Sequence, residues 1–188
     1  MKYNFFPDKI KTSSLLKTVI IICLMLCTDL LEAQSKISFD LAAIRNLRTD
    51  LNGINVTCFY HFSEHVLGGI EMNRFFPVNR IKEDETVQLS AWDFDLNFHY
   101  LLSLNKHWKC YPLIGFSHTS EKEIDPHTDE SIYARFWSLN TGAGMLFELG
   151  KWSPHIEYNY TWGHVKQQFL LAGISYELGW GKHAGKEK

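Results

Sequence analysis

Apolar and polar side chains alternate along most of residues 34–188, and the alternation restarts eight times. The clearest stretch is 91–102, where Trp92, Phe94, Leu96, Phe98, Tyr100 and Leu102 interleave with Ala91, Asp93, Asp95, Asn97, His99 and Leu101. A β-strand sends successive side chains to opposite faces, so this segment has one apolar and one polar face. No window in 34–188 has the period near 3.6 that an amphipathic helix requires.

The same parity predicts strands at 36–44, 53–62, 66–76, 91–102, 107–117, 131–149, 152–162 and 167–180. In the first, Phe39 and Leu41 oppose Ser38 and Asp40; in the second, Val56, Cys58 and Tyr60 oppose Asn55, Thr57 and His61. The third is the least regular, with Gly68 and Gly69 between its apolar positions. The connections after the second, fourth and sixth strands are short: 63–65, 103–106 and 150–151. Two of the others, 77–86 and 118–130, are long and polar. An even number of strands, with short turns at one end and long loops at the other, predicts a closed up-and-down antiparallel barrel.

Alternation does not say which face is inside. A soluble lipocalin-like barrel buries its apolar face around a ligand, whereas a membrane barrel turns that face to lipid. Three features select the membrane. Most basic residues fall in loops, turns or the tail, and on the polar strand face only Lys109 is clearly basic. The apolar face carries Trp92, Tyr100, Trp108, Tyr133, Trp162, Tyr176 and Trp180 near segment ends, as an interfacial aromatic girdle requires. The segments also have the length of about 9–11 residues that a tilted strand needs to cross a bilayer. Closure follows, because an unpaired sheet edge in lipid has no water to satisfy it.

The N-terminus reads as an address. Lys2, Lys9, Lys11 and Lys17 precede the apolar run 19–27, and a smaller-residue stretch leads to Ala33. This is the layout of a secretory signal peptide. The run is well short of the roughly 20 residues that span a bilayer as a helix. Cleavage after Ala33 divides the chain into a leader (1–33), a barrel (34–180) and a short polar tail (181–188). The mature chain then holds 15 basic and 18 acidic side chains, a net charge of −3. That balance argues against nucleic acid as a partner. Only Cys58 and Cys110 remain, both on the lipid-facing parity of non-neighbouring strands, and so are expected as free thiols.

With the leader, the eight alternating segments and the aromatic ends, the chain resembles the small eight-stranded outer-membrane barrels of the OmpA/OmpX-like kind, in the broad outer membrane protein β-barrel family. The final strand, with Gly173, Tyr176 and Leu178, resembles the C-terminal signal read by the barrel assembly machinery, although Trp180 is followed by eight further residues. The resemblance implies an all-β, eight-stranded transmembrane barrel in the outer membrane of a diderm bacterium. Its contacts would be outer-membrane lipids and lipopolysaccharide, with a surface partner met through loops 77–86 and 118–130. The fold itself hosts many roles.

Candidate chemistry is sparse. The lumen parity collects Asp40, Glu71, Asp93, Asp95, His99, Lys109, Glu148, His155, Glu157 and Glu177, that is, seven carboxylates against one lysine. The excess calls for neutralised acids or for cations brought in from loops, with Arg45 and Arg48 as candidates. The pairs His61/Ser63 and His118/Ser120 resemble the His–Ser pair of lipid A 3-O-deacylases, which are also small barrels. That motif continues with Asn, and here Glu64 and Glu121 stand instead. Arg74 and Arg135 fall on the lipid-facing parity near strand ends, where they could snorkel to headgroups or meet lipopolysaccharide phosphates. His107, His118, His127 and His164 are scattered through turns and loops, so no metal or other cofactor is expected. The expected function is structural or surface-interacting, without catalysis. A lipid-acting barrel enzyme carried by His118 and Ser120, or a soluble ligand-binding barrel, is the alternative.

Overall fold

A computed structural model of the chain describes residues 36–82, 85–124 and 131–179. The leader 1–33, Trp180 and the tail 181–188 lie outside the described residues. Among those residues the chain forms eight long strands: β1 Lys36–Asn46, β2 Leu51–His61, β3 Val66–Lys82, β4 Glu85–Tyr100, β5 Trp108–Ile124, β6 Ser131–Phe147, β7 Trp152–Gly163 and β8 Gln167–Gly179. A two-residue extension, Leu102–Ser103, carries β4 past Leu101 and pairs with β5. Every consecutive pair is antiparallel, and β1 also pairs with β8 from Lys36↔Gly179 to Asn46↔Phe169. The sheet therefore closes on itself, with no edge at the level of the β1–β8 seam.

The apolar parity faces out. Leu41 is 58% exposed while its neighbour Asp40 is 5% exposed, and the contrast repeats around the barrel. Val56, Ile70, Phe94, Leu96, Ile114, Phe116, Ile156 and Leu170 form a continuous exposed apolar belt. Asn55, Glu71, Asn73, Asp93, Asp95, Asn97, Asn140 and Asn159 are buried inside. A water-facing barrel with an apolar cavity has the opposite parity, so the lipocalin-like alternative fails. A belt of this extent is the surface of a protein solvated by lipid tails.

Aromatic rings bound the belt at both ends. Trp152 and Tyr176 meet with ring centroids 4.5 Å apart, and Trp108 lies 4.8 Å from Phe147, at the end of the short turns. At the opposite end Trp162 lies 4.6 Å from Tyr160 and donates to the Thr141 hydroxyl at 2.7 Å. Between Trp92 and Tyr100 on β4 lie about 26 Å of strand, or roughly 20 Å along the axis of a barrel tilted by about 40°. That is close to the apolar height of outer-membrane barrels.

Local chemistry sets the turns. Ser63 Oγ accepts from the backbone N–H of His65 and Val66, and Asn105 Oδ1 from those of His107 and Trp108. At the other end Asn46 Oδ1 accepts from Arg48 and Thr49, with Asp50 in the left-handed region at φ 53°. Short polar side chains that fold back on the chain are the usual makers of such turns.

Two sequence expectations need correction here. The segments 77–86 and 118–130, expected as long loops, are strand wherever they are described: β3 runs to Lys82, β4 begins at Glu85 and β5 runs to Ile124, while 83–84 and 125–130 lie outside the described residues. Outside the bilayer a strand needs no apolar face, so the period-two hydrophobic signal fades although the ladder continues.

Candidate functional site

The lumen is a layered interior. At the long-hairpin end Ala42, Ile44, Leu51, Phe75, Ala91, Phe169 and Leu171 form an apolar cluster, and Phe75 stacks on Phe169 with centroids 5.7 Å apart. Val78 and Leu89 close over it. At the short-turn end a second cluster holds Phe59, Leu67, Leu101, Tyr111 and Leu113. A polar stratum lies between them.

That stratum is a ladder of amides and carboxylates. Asn55 donates to Asn73 at 2.7 Å and to Glu71 at 3.3 Å, and Asn73 donates to Asp95 at 3.0 Å. Asn97 donates to the other Glu71 oxygen at 2.8 Å and accepts from Asn140 at 3.2 Å. The bonds tie β2, β3, β4 and β6 together across the interior. The Asn97–Asn140 bond passes over β5, where Gly115 is in register with both. A Cβ on Gly115 would stand 1.9 Å from Asn97 Oδ1, so this position needs a residue without a side chain.

Below the ladder is an aromatic stack. His99 lies between Phe59 and Tyr111, at 4.7 and 4.8 Å, with the Tyr111 ring nearly parallel at 10°. Tyr111 covers Gly144, where an added Cβ would fall 2.3 Å from its ring, and donates to Glu157 at 3.0 Å. Glycine under an aromatic ring is a known way to seat a large side chain inside a narrow barrel.

The acids expected in the lumen divide by depth. Glu148 pairs with Lys109 at 2.6 Å and Glu177 with Lys36 at 3.0 Å, both beside a polar vestibule of about 280 Å³ at the short-turn mouth. Asp40 accepts from Ser175 at 2.9 Å, with His155 Nδ1 at 3.3 Å from the same oxygen. Glu71, Asp95 and Glu157 are held by amides or a phenol, and His99 Nε2 is 3.9 Å from Glu71. Asp93 stands opposite Asn73 and Thr119. Arg45 and Arg48 do not pair with these acids. Arg45 binds Asp50 in its own turn, and Arg48 donates to the Lys166 carbonyl. Both guanidiniums are anchored at the rim, which explains why they do not enter the lumen.

Sequence reasoning passed over two groups. Glu121 lies on the inward parity of β5 and accepts from Gln167 at 2.8 Å. The amides Asn55, Asn73, Asn97 and Asn140 proved to be the backbone of the network. Parity carried beyond residue 117 would have found the first.

The other candidates are dispersed. His118 and Ser120 share the outward face of β5; His118 packs against Trp137 at 4.7 Å, and Ser120 is in register with Trp92 and Arg135. The inward Glu121 is engaged with Gln167, so no acid–His–Ser relay is formed by these three. His61 accepts from or donates to Ser38 at 3.0 Å rather than Ser63. Cys58 and Cys110 are free thiols on the outer face. No group of three or more metal-ligating side chains forms among the described residues.

Beyond the belt the four strands β3 to β6 continue as a projecting sheet. β3 and β4 pair as far as Lys82↔Glu85, and β5 and β6 as far as Ile124↔Ser131. β3 leaves β2 after Phe75 through a bulge that contains Pro77, a residue compatible with a bulge because it offers no N–H. β7 pairs with β6 only from Ser138↔Gly163 onward. Residues 131–137 of β6 therefore have a ladder partner on the β5 side alone.

Closed order, outward apolar belt and eight strands decide the architecture. The chain has the fold of the small eight-stranded outer-membrane barrels. It is similar to Ail, the attachment invasion locus protein of Yersinia pestis, at 17% identity and TM-score 0.54, over 77% of this chain and 99% of that one. It is similar to the N-terminal β-barrel domain of Pseudomonas aeruginosa OprF at 15% identity and TM-score 0.57, over 77% and 98%. OprG from Pseudomonas aeruginosa matches at 12% identity and TM-score 0.56, over 79% and 97%. No family model matches the chain, and no curated protein matches it by sequence. At these identities the likeness is one of fold, and the chain is an integral membrane β-barrel on the strength of that fold and its own apolar exterior.

Proposed function

We propose that this protein is a non-catalytic barrel of the outer membrane that meets surface partners through its projecting sheet, with the lumen serving as a structural core. One observation carries the reading: the half-open edge of β6 at 131–137, which starts on the register row of Phe94 and Trp137 and runs on past the row of Trp92. An unpaired edge offers a row of backbone donors and acceptors to an incoming strand. It is flanked by exposed apolar side chains, with Ile132 67% and Trp137 72% exposed. Soluble proteins usually blunt such an edge, so a long one in open water is a binding surface or a liability. The partner that fits is an extended protein segment. The layered lumen supports the structural half of the reading, since eight strands enclose an interior that side chains fill.

The test replaces 122–133 by a two-residue turn, which removes the hairpin tip and keeps the membrane strands. Heat-modifiability on a denaturing gel reports the barrel, and adhesion of expressing cells to protein-coated surfaces reports the sheet. The expected result is an intact mobility shift with lost adhesion. Adhesion equal to that of the untrimmed protein refutes the reading, and no mobility shift in the parent protein refutes the membrane barrel itself.

A further inference from the structure

The outward face of the projecting sheet changes character just above the lipid belt. On the register row of Met72, Phe94, His118 and Trp137 the face is apolar and aromatic. The next row is Arg74, Trp92, Ser120 and Arg135, and Lys122 follows opposite Tyr133. Three cations thus appear within two rows, all pointing to the side that faces lipid lower down.

Each cation is seated on an aromatic ring. The Arg74 guanidinium lies 4.4 Å from the centre of Trp92. Lys122 and Arg135 approach one ring, Tyr133, at 5.7 and 5.9 Å. None of the three joins an ion pair within 4.0 Å among the described residues, unlike Arg45, Arg80, Lys36 and Lys109. Two like charges over one ring, with no carboxylate within 4.0 Å among the described residues, repel each other unless an anion comes between them. The inward parity of Glu121 keeps its carboxylate on the other side of the sheet, bound to Gln167. Ser120, in register between Trp92 and Arg135, adds a hydroxyl to the same face.

We infer that Arg74, Lys122 and Arg135, with Ser120, Trp92 and Tyr133, form a binding strip for the phosphate groups of an outer-leaflet glycolipid. The occupant follows from position and charge. The strip continues the acyl-facing surface upward, so a molecule whose chains lie along Met72 and Phe94 brings its headgroup to the arginines. Arginine and lysine pair well with phosphate, and the rings exclude water beneath them. The inference uses the side-chain face and not the backbone edge, although Tyr133 and Arg135 belong to the same segment of β6.

The test uses the refolded full mature barrel in neutral detergent with a bisphosphorylated hexa-acyl glycolipid, and the same lipid after dephosphorylation. Binding is read by native mass spectrometry. The wild type should retain the phosphorylated lipid and release the dephosphorylated one. R74Q/K122Q/R135Q should weaken retention roughly 100-fold, about fivefold per cation. R135Q alone, at an exposed site, serves if the triple variant fails the mobility-shift test, and should show the single fivefold step. Equal retention of both lipids by the wild type overturns the inference, as does unchanged retention by a folded variant. Displacement by the water-soluble phosphorylated sugar headgroup as effective as by the whole lipid overturns the lipid source. R74Q in the untrimmed barrel, far in sequence from the β6 edge, should weaken lipid retention about fivefold and leave adhesion unchanged, which separates this site from the protein-binding edge; loss of adhesion in R74Q would overturn that separation.

Discussion

Gly115→Ala is a single-methyl test of the idea that the lumen is a packed core. The new Cβ would lie 1.9 Å from Asn97 Oδ1 and 2.3 Å from the Leu96 carbonyl oxygen. The Asn97 amide can swing away, but the Leu96 oxygen belongs to the β4–β5 ladder and cannot. Turning Asn97 costs its bonds to Glu71 and Asn140, at 2.8 and 3.2 Å. Overpacking of a tight interior costs about 1–3 kcal/mol. A buried polar group left without its partner costs about 1–3 kcal/mol more. The expected loss is about 3–4 kcal/mol, which for a urea slope of about 1–3 kcal/mol per molar moves the midpoint down by more than about 1 M. The assay is urea unfolding of the barrel in detergent, followed by loss of the gel mobility shift. Gly179→Ala, with open space around the added methyl, is the control and should match the wild type. N97A/G115A should lose less than the two single changes together, because removing the Asn97 amide removes part of the clash. A Gly115→Ala midpoint equal to that of the control would refute the packed lumen.

Other outcomes follow from the same layers. Tyr111→Phe removes the donor to Glu157 and leaves a buried carboxylate oxygen unmatched, so it should cost about 1–3 kcal/mol in the same urea assay; no change would mean that water replaces the phenol. Lys36→Gln, at a pair whose side chains are 34% and 38% exposed, should cost less than about 1 kcal/mol in the same assay, the scale of solvated ion pairs. In planar bilayers the wild type should show no resolvable conductance steps, because Phe75, Phe169 and their neighbours fill the long-hairpin end; steady open channels would contradict that plug. Cys58 and Cys110, on the lipid face, should resist a membrane-impermeant maleimide in intact membranes and react in denaturant; labelling in intact membranes would place that face in water.

Most of the architecture was legible in order alone. A membrane barrel forces the strictest alternation a sheet can have, since one face meets hydrocarbon and the other a narrow polar interior. That is why Phe39, Val56, Phe94 and Ile156 announced the exterior, and Asp40, Asn55, Asp95 and Glu157 the interior, one residue apart. Closure, strand number and the ends marked by Tyr100, Trp108 and Trp162 followed from the same pattern. The pattern weakens where lipid ends. At 77–82 and at 118–124 the outward face no longer meets hydrocarbon and turns polar, so the hydrophobic half of the period fades in the sequence although Thr119 stays buried on the inward side.

The tertiary structure decided what parity could not: partners. Parity placed Asn97, Gly115 and Asn140 inward, but their bond across β5 depends on register among three strands, which is set by turn geometry far from any of them. Register likewise brought Lys122 and Arg135 to one tyrosine ring and left residues 131–137 without a ladder partner on the β7 side, because β7 stops at Gly163 while β6 continues. The sequence by itself determined the barrel, its inside and its outside, because solvent acts on every residue separately. The lumen network, the cation strip and the open edge belong to the folded molecule, because each needs side chains or backbones from different strands held at one height.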